Sequence, residues 1–194
     1  MLIACVRTGD KYGDDYILRL QRGIKRHLPK DERPTFVCLT DRPVEGVLCE
    51  PLTENLPTYW SKLELFKLDE PLIYFDLDVV ITGSLAPLFD WHGFGIIKDY
   101  WQMGFNSSVM KLTGNERHVF DDFMRADMRR CPQGDQQWIT EQMPEGRIFP
   151  KEWFPSYKVD HCQEKAPDGA IACIFHGNPK PHDIASGWVK ELWV

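Results

Sequence analysis

The sequence predicts an α/β fold: a mostly parallel central sheet flanked by helices, in one domain spanning residues 1–194. Three observations carry that expectation. Short apolar runs alternate with helix-period segments through the first half of the chain. A length of 194 residues suits a single core. Apolar residues make up 43% and charged residues 27%, too apolar a balance for a disordered chain.

In order, residues 2–6 read as a buried strand and residues 7–13 as a loop with two glycines. Asp14 is placed to cap a helix whose apolar positions, Tyr16, Ile17, Leu20, Ile24 and Leu28, recur near every 3.6 residues. Pro29 and Pro34 bracket its exit. Strands follow at 35–40 and 47–50, a helix at 60–68, and the strongest strand at 72–77. In the second half, strands are expected at 94–98, 106–112 and 170–176. Helices are expected at 116–128 and 135–143, with a short one at the C-terminus. Residues 143–169, with their prolines and glycines, read as loop. In sheets of this kind, ligands collect at the carboxyl ends of strands.

Lys plus Arg is 23 and Asp plus Glu is 29, a net charge of −6. That excludes a generic nucleic-acid binder and a polybasic membrane surface. The most apolar stretch, 72–89, is broken by Asp76 and Asp78 and is too polar to span a bilayer. The residues from Met1 to Val6 are too few for a signal peptide. Six cysteines (5, 38, 49, 131, 162, 173) form no C-x-x-C pair; Cys5, Cys38 and Cys173 lie in apolar runs and read as buried free thiols. A cytoplasmic location is therefore expected. The tail from 188 to 194 is too short and too weakly basic to favour membrane association.

Asp76-Leu77-Asp78 directly follows Leu72-Ile73-Tyr74-Phe75, so two carboxylates sit where a buried strand emerges. Positions i and i+2 of a strand share a face. Carboxylates that close repel, and one is driven toward protonation unless a cation joins them. Such oxygen donors suit Mn²⁺ or Mg²⁺ shared with a phosphate-bearing substrate; the plainer alternative is a solvated pair at a turn. A second apolar run, 170–175, ends in His176-Gly177-Asn178-Pro179-Lys180-Pro181. The imidazole is a candidate nitrogen ligand for Mn²⁺, and Lys180 a point charge for phosphate oxygens. The alternative there is a surface turn with an incidental histidine. Together the two strand ends supply the parts of a site for a cation and a diphosphate.

These residues resemble the nucleotide-sugar glycosyltransferases of the GT-A fold, a Rossmann-like nucleotide-diphospho-sugar transferase architecture. The resemblance is to the family 8-like group that includes glycogenin and bacterial galactosyltransferases. Its anchors, in the family's order, are Tyr74-Phe75-Asp76-Leu77-Asp78, Asn106-Ser107-Ser108, Gly134-Asp135-Gln136 and Phe175-His176-Gly177-Asn178-Pro179-Lys180-Pro181; Trp60-Ser61-Lys62-Leu63-Glu64-Leu65-Phe66 also looks like a segment of bacterial members. The resemblance implies a metal-dependent, hexosyltransferase-like enzyme moving a sugar from a UDP-sugar to a carbohydrate or glycoconjugate hydroxyl, with retention. By it, Asp76, Asp78 and His176 would hold Mn²⁺ or Mg²⁺, and Lys180 would contact the phosphates. Val6 and Thr8 would lie near the base, with Tyr12 stacking on it. Lys62 would face the diphosphate or sugar. Asn106, Asp135 and Gln136 would touch the donor sugar, the last two as the catalytic candidates. Leu77, Ser107 and Gly177 complete the expected donor-binding set. The chain departs from the family in its length, in His182 where many relatives have Trp, and in the loop Arg7-Thr8-Gly9-Asp10-Lys11-Tyr12, a loose match to the usual base-binding loop.

Other readings compete. A phosphatase of the haloacid-dehalogenase type also carries Asp-x-Asp after an apolar strand, but usually the first strand, and it needs a later acidic pair; Asp121-Asp122 falls in an amphipathic helix pattern instead. A nucleotidylyltransferase would need a glycine-rich basic loop after the first strand. A non-catalytic carbohydrate-binding domain leaves the acidic pair, His176 and Lys180 without a role. The aromatics Trp91, Tyr100, Trp101, Trp138, Trp153, Phe154 and Tyr157 serve equally as core or as an acceptor groove.

Overall fold

A computed structural model describes residues 1–101, 103–126 and 131–194. The central sheet has seven strands in the order β3-β2-β1-β4-β7-β6-β8. These are β1 (Leu2–Arg7), β2 (Thr35–Thr40), β3 (Leu48–Pro51), β4 (Leu72–Phe75), β6 (Gly95–Lys98), β7 (Phe105–Leu112) and β8 (Arg147–Ile148). All adjacent pairs are parallel except those made by β7, which runs against β4 and β6. The mostly parallel sheet is thus as expected, with one reversed strand at its centre.

Both faces of the inner strands are buried, which is why β1 and β4 read as near-continuous apolar runs. Side chains alternate between two cores. Ile3, Cys5, Ile73 and Phe75 face helix α1 (Asp14–His27), whose Tyr16, Ile17, Leu20 and Ile24 are buried. Ala4, Leu72 and Tyr74 face the other side, against α3 (His118–Phe123), α4 (Asp135–Gln142) and a 3₁₀ helix at Thr58–Lys67. The sequence predicted an α-helix at 60–68. The tighter coil has a physical reason: Trp60, Leu63 and Phe66 recur every third residue, and in a 3₁₀ helix positions i and i+3 stack in one row, here into the second core.

Several expected boundaries shift. Asp14 is the first residue of α1 rather than its cap; Gly13 precedes it without a side-chain cap, and Asp14 instead accepts a 2.6 Å bond from Arg7. The third strand begins at Leu48 and ends at Pro51. α3 is shorter than 116–128, and residues 127–128 of that expectation lie outside the described residues. The strand expected at 72–77 stops at Phe75, so Asp76-Leu77-Asp78 occupies a turn, closed by Val79 N–H on the Asp76 carbonyl at 3.3 Å. The run 170–176 does not join the main sheet: β4 is flanked by β1 and β7, and the run lies instead beside the segment that follows β4. Only β9 (Ala172–Cys173) is strand, and it pairs antiparallel with β5 (Val80–Ile81) in a separate two-stranded ribbon.

The tail forms α5 (Trp188–Leu192) and docks on α1. Trp188 and Trp193 are buried, and Arg19 and Arg22 donate to the carbonyls of Trp193 and Val194. Its rings are packed in the core, with Arg19 stacked over Trp193. Among the described residues no helix is long and apolar enough to cross a membrane. The six cysteines are free thiols, five of them buried.

A buried cation on the reversed strand ties the sheet to a short helix. Lys111 on β7 donates to the carbonyls of Leu88, Phe89 and Trp91 at 2.8, 3.0 and 2.5 Å, capping the short helix α2 (Ala86–Phe89). Lys111→Met leaves three carbonyls without a donor and is expected to cost about 3 kcal/mol in urea unfolding. A loss under about 0.5 kcal/mol, typical of an unremarkable surface change, would contradict this role.

Candidate active site

The strand order reverses between β1 and β4: β2 lies on one side of β1 and β4 on the other. A crevice opens at such a switch point, outside the carboxyl ends of the strands. Here it is a cleft of about 460 Å³ whose lining includes Val6, Arg7 and Thr8 after β1 and Asp76, Leu77 and Asp78 after β4. Because β7 is antiparallel, its first residues lie at the same edge; Asp76 N–H donates to the Ser108 carbonyl at 2.8 Å. A larger, more open hollow of about 810 Å³ borders Ile3 and Phe36 near the other ends of β1 and β2. It lacks paired carboxylates, so the chemistry belongs to the smaller cleft.

Lys62, on the 3₁₀ helix and 7% exposed, is the hub of one half. Its Nζ stands 2.9 Å from Asp76 Oδ1 and 3.4 Å from Asp135 Oδ2, and it donates to Ser107 Oγ at 2.9 Å. Ser107 Oγ in turn donates to Asp135 Oδ2 at 2.6 Å, and Ser107 N–H donates to Gln136 Oε1 at 3.3 Å. Burial opposes the ammonium charge, but Asp135 and Asp76 together hold the Lys62 pKa above its ordinary value. Burial likewise opposes the Asp76 carboxylate, yet Lys62, with hydrogen bonds from Tyr74 and Ser108, keeps its pKa below the usual range. Tyr74 donates to Asp76 Oδ1 at 2.5 Å, and burial followed by the Asp76 charge raises its phenol pKa.

The other half gathers around Asp78. Tyr12 donates to Asp78 Oδ2 at 2.7 Å, and Lys180 pairs with the same oxygen. The ribbon makes this meeting possible. Val80 is paired with Cys173, so the same register carried two residues further sets Asp78 opposite Phe175, whose carbonyl accepts from Lys180 at 3.0 Å. Burial and then Asp78 raise the Tyr12 pKa, so its ring stays a neutral donor. His176 stacks on Tyr100 at 5.0 Å and accepts from Trp101 Nε1 on Nδ1 at 3.3 Å. That leaves the ring proton on Nε2, toward Ser156 Oγ at 2.6 Å. Burial, followed by the nearby Lys158, lowers the His176 pKa and keeps the imidazole neutral.

Of the residues expected in the donor site, Val6, Thr8, Tyr12, Lys62, Asp76, Leu77, Asp78, Asn106, Ser107, Asp135, Gln136, His176 and Lys180 all line this cleft. Gly177 does not; it turns away with φ +65° beside Lys158. Asp76, Asp78 and His176 share the cleft but face different partners. Among the described residues no three His, Cys, Asp or Glu side chains stand together as a ready ion cage. Their chemistry nonetheless fits a divalent ion: two hard carboxylates and a neutral imidazole, whose Nδ1 lone pair would pass from Trp101 Nε1 to the ion. Lys62 and Lys180 supply positive charge to the carboxylates as the chain stands.

Sequence reasoning missed Ser107 as the link between Lys62, Asp135 and Gln136, and it missed Ser156 and Tyr100 as the supports of His176. No local pattern marks a serine that acts across 28 residues. It also missed Tyr59. Thr58 opens the 3₁₀ helix at φ +51°, a left-handed conformation costing a β-branched residue about 1–3 kcal/mol. Tyr59 follows, 51% exposed, with its ring against Gly134. A Cβ on Gly134 would stand 2.6 Å from Tyr59 Cε2, and Gly134 itself has φ +82°, so the close approach requires glycine. The aromatics of the second half divide plainly. Trp138, Phe154 and Tyr157 are core, Trp91 and Trp153 pack against it, and Trp101 is exposed beside His176.

The Lys62 cluster has a testable pH signature. With the folded Asp76 pKa below its unfolded value, near 3.9, the pair contributes stability above that pH and loses it as pH falls through the folded pKa. Lys62→Met removes the cation and leaves the half-buried Asp76 beside the buried Asp135, at a cost of about 3 kcal/mol near neutrality. One carboxyl must then titrate at a raised pKa, so the variant gains stability on acidification from pH 7 to pH 5 while the parent does not. Melting curves across that range check the sign; parallel curves for the two proteins would contradict it.

No protein-family model matches the chain, and no curated protein matches it in sequence. Solved structures do. The galactosyltransferase LgtC, in complex with donor and acceptor sugar analogs, superposes with a TM-score of 0.73 at 15% identity, over 100% of this chain and 95% of that one. The glycosyltransferase GlyE of Streptococcus pneumoniae TIGR4 gives 0.76 at 13% identity, over 99% of this chain and 59% of that one. The bifunctional glycosyltransferase WbbM gives 0.65 at 13% identity, over 93% and 46%. The likeness is one of fold: this chain is built on the GT-A architecture of those glycosyltransferases.

Proposed function

We propose that the chain is a metal-dependent, family 8-like glycosyltransferase that moves a sugar from a UDP-sugar to a carbohydrate or glycoconjugate hydroxyl with retention. One observation carries the reading: carboxylates after β4 and cations from other elements, Lys62 on the 3₁₀ helix and Lys180 from the far end of the chain, converge in a single cleft at the sheet's switch point. The fold shared with LgtC and GlyE supports it. Asp121 and Asp122 of the phosphatase reading instead pair with Arg117 and Arg125 on and beside α3, and neither lines the cleft.

Breaking the bond between sugar C1 and the diphosphate places negative charge on the leaving group. Asp76, Asp78 and His176 would hold Mn²⁺ or Mg²⁺, which when bound supplies Lewis-acid stabilisation of that charge. Lys180 sits on a stiff turn beside Asp78 and neutralises phosphate oxygens. Tyr12, at the first-strand end of the cleft, offers its ring to the base, with Val6 and Thr8 beside it. Asn106, Ser107, Asp135 and Gln136 surround the place of the donor sugar. Asp135 is fixed by Lys62 and Ser107, and Gln136 by the backbone of Ser107, so a side-chain oxygen is held for the oxocarbenium-like sugar.

The test is nucleotide release from a panel of UDP- and GDP-sugars with Mn²⁺. A UDP-sugar should be consumed, and Asp76→Asn and Asp78→Asn should each lower the rate by about a hundredfold or more. UDP with Mn²⁺ should raise the melting temperature of the parent and not of either variant. Full turnover in both variants, or release of pyrophosphate from a nucleoside triphosphate instead, would refute the proposal.

A further inference from the structure

The 3₁₀ helix presents two consecutive turns to the cleft. Residues i and i+3 eclipse in such a helix, so Tyr59 stands directly above Lys62. Each meets the start of α4. Lys62 Nζ pairs with Asp135, and the Tyr59 ring lies against Gly134, the residue before it. The inner contact is charged and buried; the outer one is aromatic and half open to solvent. Two left-handed backbone positions, Thr58 and Gly134, hold that ring in place. The cleft therefore ends, beyond its charged part, in a flat apolar face, with Thr58 and Gln133 among the lining residues beside it.

We infer that the exposed face of Tyr59 is the stacking platform for a pyranose ring of the acceptor; the inference rests on the glycosyltransferase reading above. Tyr59 lines the same cleft as Asp135 and Gln136, and its ring is half open to the solvent from which an acceptor arrives. Pyranoses carry apolar C–H faces that stack on aromatic rings, and their hydroxyls need polar partners, which Thr58 and Gln133 provide. A second exposed ring, Trp101, stands edge-on to His176, at the cation end. Tyr59 thus selects for the shape of the acceptor, apart from the groups that grip the diphosphate.

Saturation-transfer NMR with methyl glycosides of glucose, galactose, mannose and N-acetylglucosamine, on the protein alone and with UDP plus Mn²⁺, tests this without turnover. At least one glycoside should bind the parent. Tyr59→Phe should keep that affinity, while Tyr59→Ala and Tyr59→Leu should each weaken it about tenfold. Leucine covers Gly134 but offers no flat face, so a mere packing role would leave Tyr59→Leu close to Tyr59→Phe. That equivalence, or the absence of binding by every glycoside to the parent, overturns the assignment. Glycoside binding through Tyr59 in a protein that consumes no nucleotide sugar would keep the subsite and remove the transferase reading.

Discussion

Negative charge at the end of β4 has to be balanced, and much of the site's architecture follows from that requirement. Asp76, Asp78 and Asp135 meet in one partly dry cleft, where unpaired carboxylates are costly. Lys62 answers Asp76 and Asp135, and Lys180 answers Asp78. Neither lysine is near its carboxylates in sequence except through the fold. Lys62 arrives on a 3₁₀ helix laid across one face of the sheet, and Lys180 on a turn that the small ribbon delivers from the far end of the chain.

The backbone makes this arrangement possible in three ways. The reversal of strand order at β1 and β4 opens the crevice. The antiparallel β7 brings Asn106, Ser107 and Ser108 to the same edge as the ends of the parallel strands. The β5–β9 ribbon leads from the turn after β4 to the His176 segment. A fully parallel sheet would place the start of β7 at the opposite edge, and Ser107 could not link Lys62 to Asp135 and Gln136.

Much of this was legible in the sequence. The apolar runs at 35–40 and 72–75 and the 3.6 period of α1 are strong local signals, and the strands and helix stand nearly where they imply. The acidic pair, His176 and Lys180 stood out because each follows an apolar run, and the cleft gathers all of them. What escaped was whatever depends on contacts between distant segments. The reversal of β7 has no local signature. The run at 170–176 is as apolar as a sheet strand, yet it pairs with β5 outside the main sheet. Asp14 looks like a cap, but the buried Arg7 engages it. Ser156 and Tyr59 belong to the site only through three-dimensional proximity, although a β-branched residue just before Tyr59 gave no hint of its left-handed backbone.

Lys180 pairs with Asp78 in the chain as it stands, and under the proposed function it would turn to phosphate oxygens when a nucleotide binds. That exchange links the geometry to the proposed chemistry most closely. A crystal structure of the chain with UDP and Mn²⁺ tests it directly. The account predicts an ion against Asp76, Asp78 and His176, with Lys180 moved from Asp78 to the diphosphate. A diphosphate bound outside this cleft, or Lys180 still paired with Asp78 and the ion elsewhere, would contradict it.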